Sequence, residues 1–308
     1  METPTDQSAK FDPNPFGFDL NDAEAAHAPQ DSPAFAAPNP DNPPWGVLLG
    51  IGVTLASLFL LLVVQLVFVI PYVLSFHTFD PIQIANIAKS QRAILLSIIA
   101  IIPAHLLTLG VAWTVVTGFR KRPFFRTLGW TWSPRLGLWS CLGITLLLLG
   151  AAQGLSAIFG DPETDLERMI LSSTAARYTI AALATFTAPL VEEVVFRGVL
   201  YSGLRKRIGA TWGAVIVILI FAAIHVPQYL PNVAAISAIL LLSSVLTIVR
   251  ARTGRLLPCV AIHFFFNGIS SVLIVLQPFI ERKFPPPPTP PTPGALVELC
   301  AHVFNKLF

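Results

Sequence analysis

Residues 46–72 read GVLLGIGVTLASLFLLLVVQLVFVIPY, and this stretch decides the fold class. It contains no Asp, Glu, Lys or Arg, and about 20 predominantly apolar residues are enough to span the core of a bilayer. Two more stretches without these four residue types lie between Arg92 and Arg120 and between Arg135 and Asp161. We therefore expect an all-α protein, a helical bundle that crosses the membrane several times.

The composition of the whole chain supports this expectation. Hydrophobic residues make up 54% of the sequence and charged residues 12%, with a mean hydropathy of +0.69, whereas charged residues are about 25% of an average soluble protein. The net charge of +3 does not indicate nucleic-acid binding, because the basic residues form short clusters between the apolar stretches. The cysteines are few and widely spaced, so no disulfide framework is predicted.

Seven apolar spans can be counted, with a polar tail on either side of the bundle. The fifth and sixth spans come from one uncharged run, in which Pro227 and Pro231 favour a turn. Residues 1–44 are expected to be disordered, and residues 281–308 to form a proline-rich tail with a short apolar segment. The predicted bundle, 45–280, has spans at 46–72, 93–118, 136–158, 178–204, 210–226, 232–249 and 256–278.

The distribution of Lys and Arg among the loops predicts the orientation in the membrane. Basic clusters follow the second, fourth and sixth spans, which puts them on one side if the spans alternate, while the loop after the third span is acidic. The N-terminal tail is therefore predicted to be cytoplasmic, and the protein to be a multi-pass protein of the cell membrane, the inner membrane in a bacterium. The basic residues are Arg120, Lys121, Arg122, Arg126, Arg135, Arg205, Lys206, Arg207, Arg250, Arg252 and Arg255.

Two carboxylates and an arginine lie inside the fourth span, where each charge costs roughly 2.5 to 3.5 kcal/mol on the mildest insertion scale. Glu193 and Arg197 are four residues apart, so they can pair on one face of a helix. Glu192 points elsewhere and has no partner on its own helix. An unpaired carboxylate in apolar surroundings has a raised affinity for protons, which makes Glu192 the better candidate for a general base. Pro189, one turn earlier, is expected to disturb the helix beside this pair.

Imidazole and amide groups lie in two other spans. His225 ends the fifth span, and His263 and Asn267 share one face of the seventh, because they are four residues apart. The distance along each helix from the basic loops puts these groups and Glu192 near the middle of the bilayer, so three helices can present them to one cavity. His105, a lone polar residue in the second span, is expected to make a structural contact.

Three short motifs resemble those of a known protease family. The stretch EEVVFR at residues 192–197 fits EExxxR, FAAIH at 221–225 fits FxxxH, and HFFFN at 263–267 fits HxxxN. In this order, the motifs resemble the CPBP (Abi) family of intramembrane glutamic proteases, which is similar to type II CAAX prenyl endopeptidases and lysostaphin-resistance proteins. The resemblance covers residues 178–275 and implies a membrane-embedded endopeptidase without a cofactor.

The resemblance also implies a role for each motif residue. Glu192 would activate the water that attacks a peptide carbonyl, with assistance from His225. The glutamate–arginine pair of the first motif would order that motif. His263 and Asn267 would stabilise the oxyanion. The expected partners are the bilayer and a peptide or protein substrate at the membrane.

Other functions remain open at this point. Glu192, His225 and His263 are suitable ligands for Zn²⁺, so a zinc-dependent membrane peptidase is one alternative, although the HExxH motif is missing. The same acidic and imidazole groups could relay protons in a carrier. A non-enzymatic scaffold or immunity protein could also retain such a bundle. The sequence does not indicate the substrate, or whether it is prenylated.

Overall fold

The computed structural model describes residues 39–283. The outer parts of both predicted tails, 1–38 and 284–308, lie outside the described residues, and with them the proline-rich FPPPPTPPTPG. Between residues 39 and 283 the chain forms helices and no β-strand. The all-α prediction is confirmed for this part of the chain.

Seven of the helices in the described part are long and apolar enough to cross a membrane, as predicted. Three shorter helices, α2, α4 and α6, lie in the connections. In chain order the helices are α1 Val47–Leu74, α2 Pro81–Ala88, α3 Gln91–Thr117, α4 Phe124–Leu128, α5 Leu138–Phe159, α6 Asp165–Leu171, α7 Thr174–Ile208, α8 Ala210–Tyr229, α9 Val233–Thr253 and α10 Leu257–Lys283.

The turn between α8 and α9 is shorter than the sequence suggests. Pro227 lies inside the last turn of α8, so the helix continues to Tyr229 instead of ending at residue 226. Asn232 then begins α9 as its N-cap, because its Oδ1 accepts a hydrogen bond from the amide of Ala235 at 2.8 Å. Pro227 therefore belongs to the helix, and the break falls at Leu230 to Asn232.

Helix α7, which carries the first motif, contains two π-helical segments, Leu183–Thr187 and Glu193–Leu200. Such segments are rare and occur frequently at functional sites. The first one lies directly before Pro189, where the amide of Ala188 donates to the carbonyl of Leu183, five residues earlier. The disturbance expected from Pro189 is thus observed as a local widening of the helix.

Helix α7 lies at the centre of the bundle. All eight residues of the second π-helical segment are buried, and its apolar side chains pack in a core with Val53 of α1, Val116 of α3 and Phe221 of α8. A second core joins α5, α9 and α10 through residues such as Leu246 and Ile262. This segment of the motif helix is therefore surrounded by protein, and the side chains of Glu193 and Arg197 are buried within the bundle.

The three basic loops meet at one end of the bundle, as the alternation of spans predicts. Leu256 donates its amide to the carbonyl of Gly129 at 2.9 Å, and Arg255 donates to the hydroxyl of Thr131 at 2.7 Å. Arg205, at the end of α7, donates to the carbonyl of Ala251 at 3.2 Å. We call this end of the molecule the basic end.

Candidate active site

A buried ion pair forms the base of the site. Nη1 of Arg197 donates to Oε1 of Glu193 at 2.9 Å, and both side chains are 0% exposed. The pair has the four-residue spacing that predicts it. Two charges removed from water in this way remain ionised only when further polar groups surround them.

Arg197 has those additional partners on two neighbouring helices. Its Nη2 donates to the hydroxyl of Ser243 at 2.9 Å, and its Nε donates to the hydroxyl of Thr247 at 3.3 Å, both on α9. Its guanidinium carbon lies 4.3 Å from the ring centroid of Phe221 on α8, a distance at which a cation is attracted to the ring. Arg197 thus connects α7 to α8 and α9.

His263 connects the same glutamate to α10. Its Nδ1 lies 2.9 Å from Oε1 of Glu193, and the imidazole is buried. An ionised carboxylate can only accept a hydrogen bond, so the proton must be on Nδ1 of His263. The second oxygen of Glu193, Oε2, is also buried and has no hydrogen-bond partner among residues 39–283.

Glu192 faces the opposite nitrogen of the same imidazole. Its Oε2 lies 3.8 Å from Nε2 of His263, and its side chain is 23% exposed. This separation is longer than a hydrogen bond. The imidazole therefore lies between two carboxylates, a buried one that orients it and a more exposed one that remains free to contact a further molecule.

Asn267 is held against the backbone of α7. Its Nδ2 donates to the carbonyl of Ala184 at 2.9 Å, inside the first π-helical segment. His263 and Asn267 therefore fasten α10 to α7 on both sides of Glu192. One N–H of the Asn267 amide is used in this contact, which leaves its second N–H and its carbonyl oxygen for other partners.

His225 does not contact the glutamates directly in the described part of the chain. Its Nδ1 donates to the carbonyl of Phe221 at 2.7 Å, because a carbonyl oxygen can only accept, and Nε2 is therefore the unprotonated nitrogen of the neutral ring. The Phe221 ring lies 4.6 Å from the His225 ring and 6.2 Å from the His263 ring, between centroids. Phe221 thus lies between the two histidines and also contacts Arg197.

His105 makes the structural contact that was expected of it. Its Nδ1 lies 2.9 Å from the hydroxyl of Thr187. That hydroxyl donates a hydrogen bond to the carbonyl of Leu183 at 3.2 Å. The contact is between α3 and the first π-helical segment, so His105 supports the motif helix one turn before Glu192.

Glu192, His225 and His263, the possible ligands in the zinc alternative, are not grouped as a metal site in residues 39–283. Among the described residues no group of three or more His, Cys, Asp or Glu side chains is arranged to hold a metal ion. Nδ1 of His225 is bonded to its own helix, and Nδ1 of His263 is bonded to Glu193. The histidines are therefore oriented by protein acceptors, and the contacts of Glu192 and His263 do not extend to His225.

Several residues that build the site were not singled out from the sequence. Phe221 is the apolar residue that begins the FxxxH motif, and Ser243 and Thr247 look like ordinary small residues of an apolar helix. Arg250 was assigned to a basic loop, whereas it is fully buried in the last turn of α9. Gly254, the residue that ends α9 with φ 65°, indicates that Arg250 precedes the loop.

A comparison with protein families covers the part of the chain that holds the three motifs. Residues 174–269 match the family described as type II CAAX prenyl endopeptidase Rce1-like. The family resemblance predicted from the motifs is confirmed. The matched segment runs from the first residue of α7 into α10 and leaves α1, α3 and α5 outside. No similar protein was found among curated sequences, and no similar chain among solved structures. The match indicates a CAAX-protease-like membrane endopeptidase.

Proposed function

We propose that this protein is an intramembrane endopeptidase in which Glu192 activates the water that hydrolyses a peptide bond. The observation that carries the proposal is the difference between two adjacent glutamates. Glu193 is fully buried and bonded to Arg197 and His263, whereas Glu192 is 23% exposed and has no partner within hydrogen-bond distance in the described part of the chain. A general base needs that freedom, because it must contact the proton that it removes.

The reaction begins when Glu192 takes a proton from water and the water oxygen attacks the carbonyl carbon of the substrate. The negative charge that develops on the carbonyl oxygen is stabilised by hydrogen bonds from Nε2–H of protonated His263 and from the free N–H of Asn267. The carbon–nitrogen bond then breaks as the amine receives a proton. The proton that Glu192 took from water passes to the leaving nitrogen, and the new carboxylic acid gives its own proton to the amine. The products are a carboxylate and an ammonium group, and Glu192 is ionised again.

His225 assists in the transfer of protons. Its Nδ1–H is committed to the carbonyl of Phe221, so Nε2 is a base in the neutral ring and an acid in the protonated ring. A group of this kind can deliver the proton to the leaving amine. Phe221 lies next to the rings of both histidines and to the guanidinium of Arg197, so we assign to it the orientation of these groups.

Glu193 and Arg197 have a positioning role. Glu193 accepts from Nδ1 of His263, which directs Nε2 of the imidazole toward Glu192, while Arg197 anchors Glu193 to α9. The substrate is a peptide or protein whose cleavage site reaches the membrane interior or its surface. The basic end of the bundle is cytoplasmic by the distribution of Lys and Arg.

The proposal can be tested before the substrate is identified. Membranes from cells that express the wild-type chain or the Glu192→Gln variant are compared by mass spectrometry of newly formed peptide termini. The control is Glu163→Gln, because Glu163 is an exposed glutamate of an outer loop. We expect one set of termini to be present with the wild type and the control. The same set should be lost with Glu192→Gln when the protein is present in the membrane at an equal level. The same termini in all three samples would exclude this function.

A further inference from the structure

The second π-helical segment of α7, Glu193–Leu200, receives hydrogen bonds from two side chains outside the helix. Nε1 of Trp45 donates to the carbonyl of Val199 at 3.0 Å. Nε of Arg250 donates to the carbonyl of Arg197 at 3.1 Å. Both donors are buried, with Trp45 2% and Arg250 0% exposed.

We propose that Trp45 and Arg250 are positioning residues that hold this segment in its π-helical register and thereby fix the direction of the two glutamates. We call the two side chains together the register clamp. The inference rests on the proposed function for its consequence in catalysis, while its structural part stands on the hydrogen bonds. Neither residue belongs to the three motifs, and Trp45 lies outside the segment that matches the family.

The register of this segment matters because a π-helical bulge contains one more residue than the α-helix that replaces it. If the bulge became a regular α-helix, one residue would be lost from the helical turns. One end of the helix would then rotate relative to the other by about 100° and shift by about 1.5 Å. Glu193 contacts His263 at the N-terminal end of the segment. If the C-terminal end of the segment kept its contacts, conversion to an α-helix would turn both glutamates away from that imidazole.

Further contacts, besides the two clamp bonds, fix the C-terminal end of the segment. Nη2 of Arg250 also donates to the hydroxyl of Ser202 at 3.1 Å and approaches the carbonyl of Pro40 at 3.4 Å. Nη1 of the same guanidinium donates to the carbonyl of Gly254. Arg250 thus joins α7, the end of α9 and the residues that precede α1.

The residues that precede α1 form a strap across the basic end, which we define as residues 40–46. Asp41 pairs with Arg205 at 3.0 Å, and the carbonyl of Pro43 accepts from Nζ of Lys206 at 2.9 Å. A Cβ atom at Gly203 would lie 3.1 Å from the carbonyl oxygen of Gly46, so the strap and α7 are in close contact. The strap places the Trp45 indole against the π-helical segment, where it donates to the carbonyl of Val199.

The clamp contacts carbonyl groups of the segment itself, which distinguishes it from general packing of the bundle. Loss of a clamp donor should loosen residues 193–200 more than the rest of the chain. Two substitutions remove these bonds and keep the aromatic or charged character of the side chain: Trp45→Phe removes the indole N–H, and Arg250→Lys removes the guanidinium fork. The matched controls are Trp212→Phe, on the exposed surface of α8, and Arg252→Lys, exposed in the same last turn of α9.

Hydrogen exchange of the full chain in lipid nanodiscs tests the structural part of the proposal. We expect Trp45→Phe and Arg250→Lys to accelerate exchange of the amides of residues 193–200 by up to about tenfold, the factor for loss of one net hydrogen bond. Exchange in α8 and both control variants should remain as in the wild type. Unchanged exchange at 193–200, or an equal acceleration throughout the chain, would overturn the proposal.

The yield of Glu192-dependent termini tests the catalytic part. At equal membrane levels both clamp variants should lower this yield by about tenfold or more, because a displacement of catalytic groups by about 1 Å can cost about 10²-fold in rate. The control variants should leave the yield unchanged. A full yield alongside accelerated exchange would contradict the positioning role. Absence of these termini with the wild type would instead contradict the proposed function, and the exchange measurement would still decide the register clamp.

Discussion

Nδ1 of His263 lies 2.9 Å from Oε1 of Glu193, so a carboxylate on α7 fixes the orientation of an imidazole on α10. The opposite ring nitrogen then faces Glu192 at 3.8 Å. Adjacent glutamates thus have different surroundings: one is part of the framework of the bundle, and the other is accessible at the site. The difference leads to separate predictions for stability and for catalysis.

Replacement of Glu193 by Gln should destabilise the protein, because it leaves the charge of Arg197 buried without its carboxylate. The loss of one partner from a buried ion pair costs roughly 3–5 kcal/mol. Glu192→Gln should change the free energy of unfolding by less than about 1 kcal/mol, since that side chain has no hydrogen-bond partner among residues 39–283 and lies 3.8 Å from His263. Thermal unfolding in detergent micelles compares the two variants. Equal stability of both would contradict the division between the glutamates.

The bond from His263 to Glu193 can be tested with two substitutions at one position. Asn places an amide N–H near the position of Nδ1, whereas Leu provides no donor. We expect His263→Leu to be less stable than His263→Asn by about 1–3 kcal/mol, the cost of leaving a buried acceptor without its donor. Both variants should lose the Glu192-dependent termini, because neither restores Nε2. Thermal unfolding and the comparison of termini measure the two effects.

His105 should affect stability and leave catalysis largely unchanged. Its hydrogen bond is with Thr187, which lies outside the three motifs. His105→Leu should lower the free energy of unfolding by about 0.5–1.5 kcal/mol, the net value of one hydrogen bond, and His105→Asn should recover part of this loss. Unfolding measurements and the yield of termini distinguish the two roles. Loss of the termini at unchanged stability would show that His105 takes part in the reaction.

Chelators should not affect the cleavage, because the proposed base is a carboxylate and no group of three or more His, Cys, Asp or Glu side chains in residues 39–283 is arranged to hold a metal ion. The measurement uses membranes treated with a strong zinc chelator, with and without added Zn²⁺, and follows the Glu192-dependent termini. A zinc peptidase would lose its activity with the chelator and regain it with zinc. That result would replace the glutamate mechanism with the metal-dependent alternative.

Much of the fold could be predicted from the sequence because the bilayer imposes a simple rule. Stretches without charged residues had to become spans, and their number and order agree with the structure. The end of α8 differs from the prediction because Pro227 lies inside the helix, which continues to Tyr229. Proline removes one helical hydrogen bond here without ending the helix. The break depends on the N-cap Asn232 instead.

The contact between Glu193 and Arg197 could be predicted because helical spacing determines it. The contacts of Arg250 and Trp45 could not, because they depend on which helices pack together and on the π-helical segment of α7. Sequence spacing assumes a regular helix, and the segment Glu193–Leu200 departs from one. The link from His225 to the other motif residues, through the ring of Phe221, likewise becomes visible only when α8 and α10 are packed.

The most direct measurement of the role of Glu192 uses a synthetic peptide that covers one of the Glu192-dependent cleavage sites. The purified wild-type chain and the Glu192→Gln variant, in nanodiscs and with matched thermal stability, are incubated with this peptide, and the cleavage rate is followed. We expect the variant to be slower by about 10²–10⁴-fold, the contribution of a general base. A variant that cleaves the peptide within a few-fold of the wild-type rate would show that Glu192 is not the base.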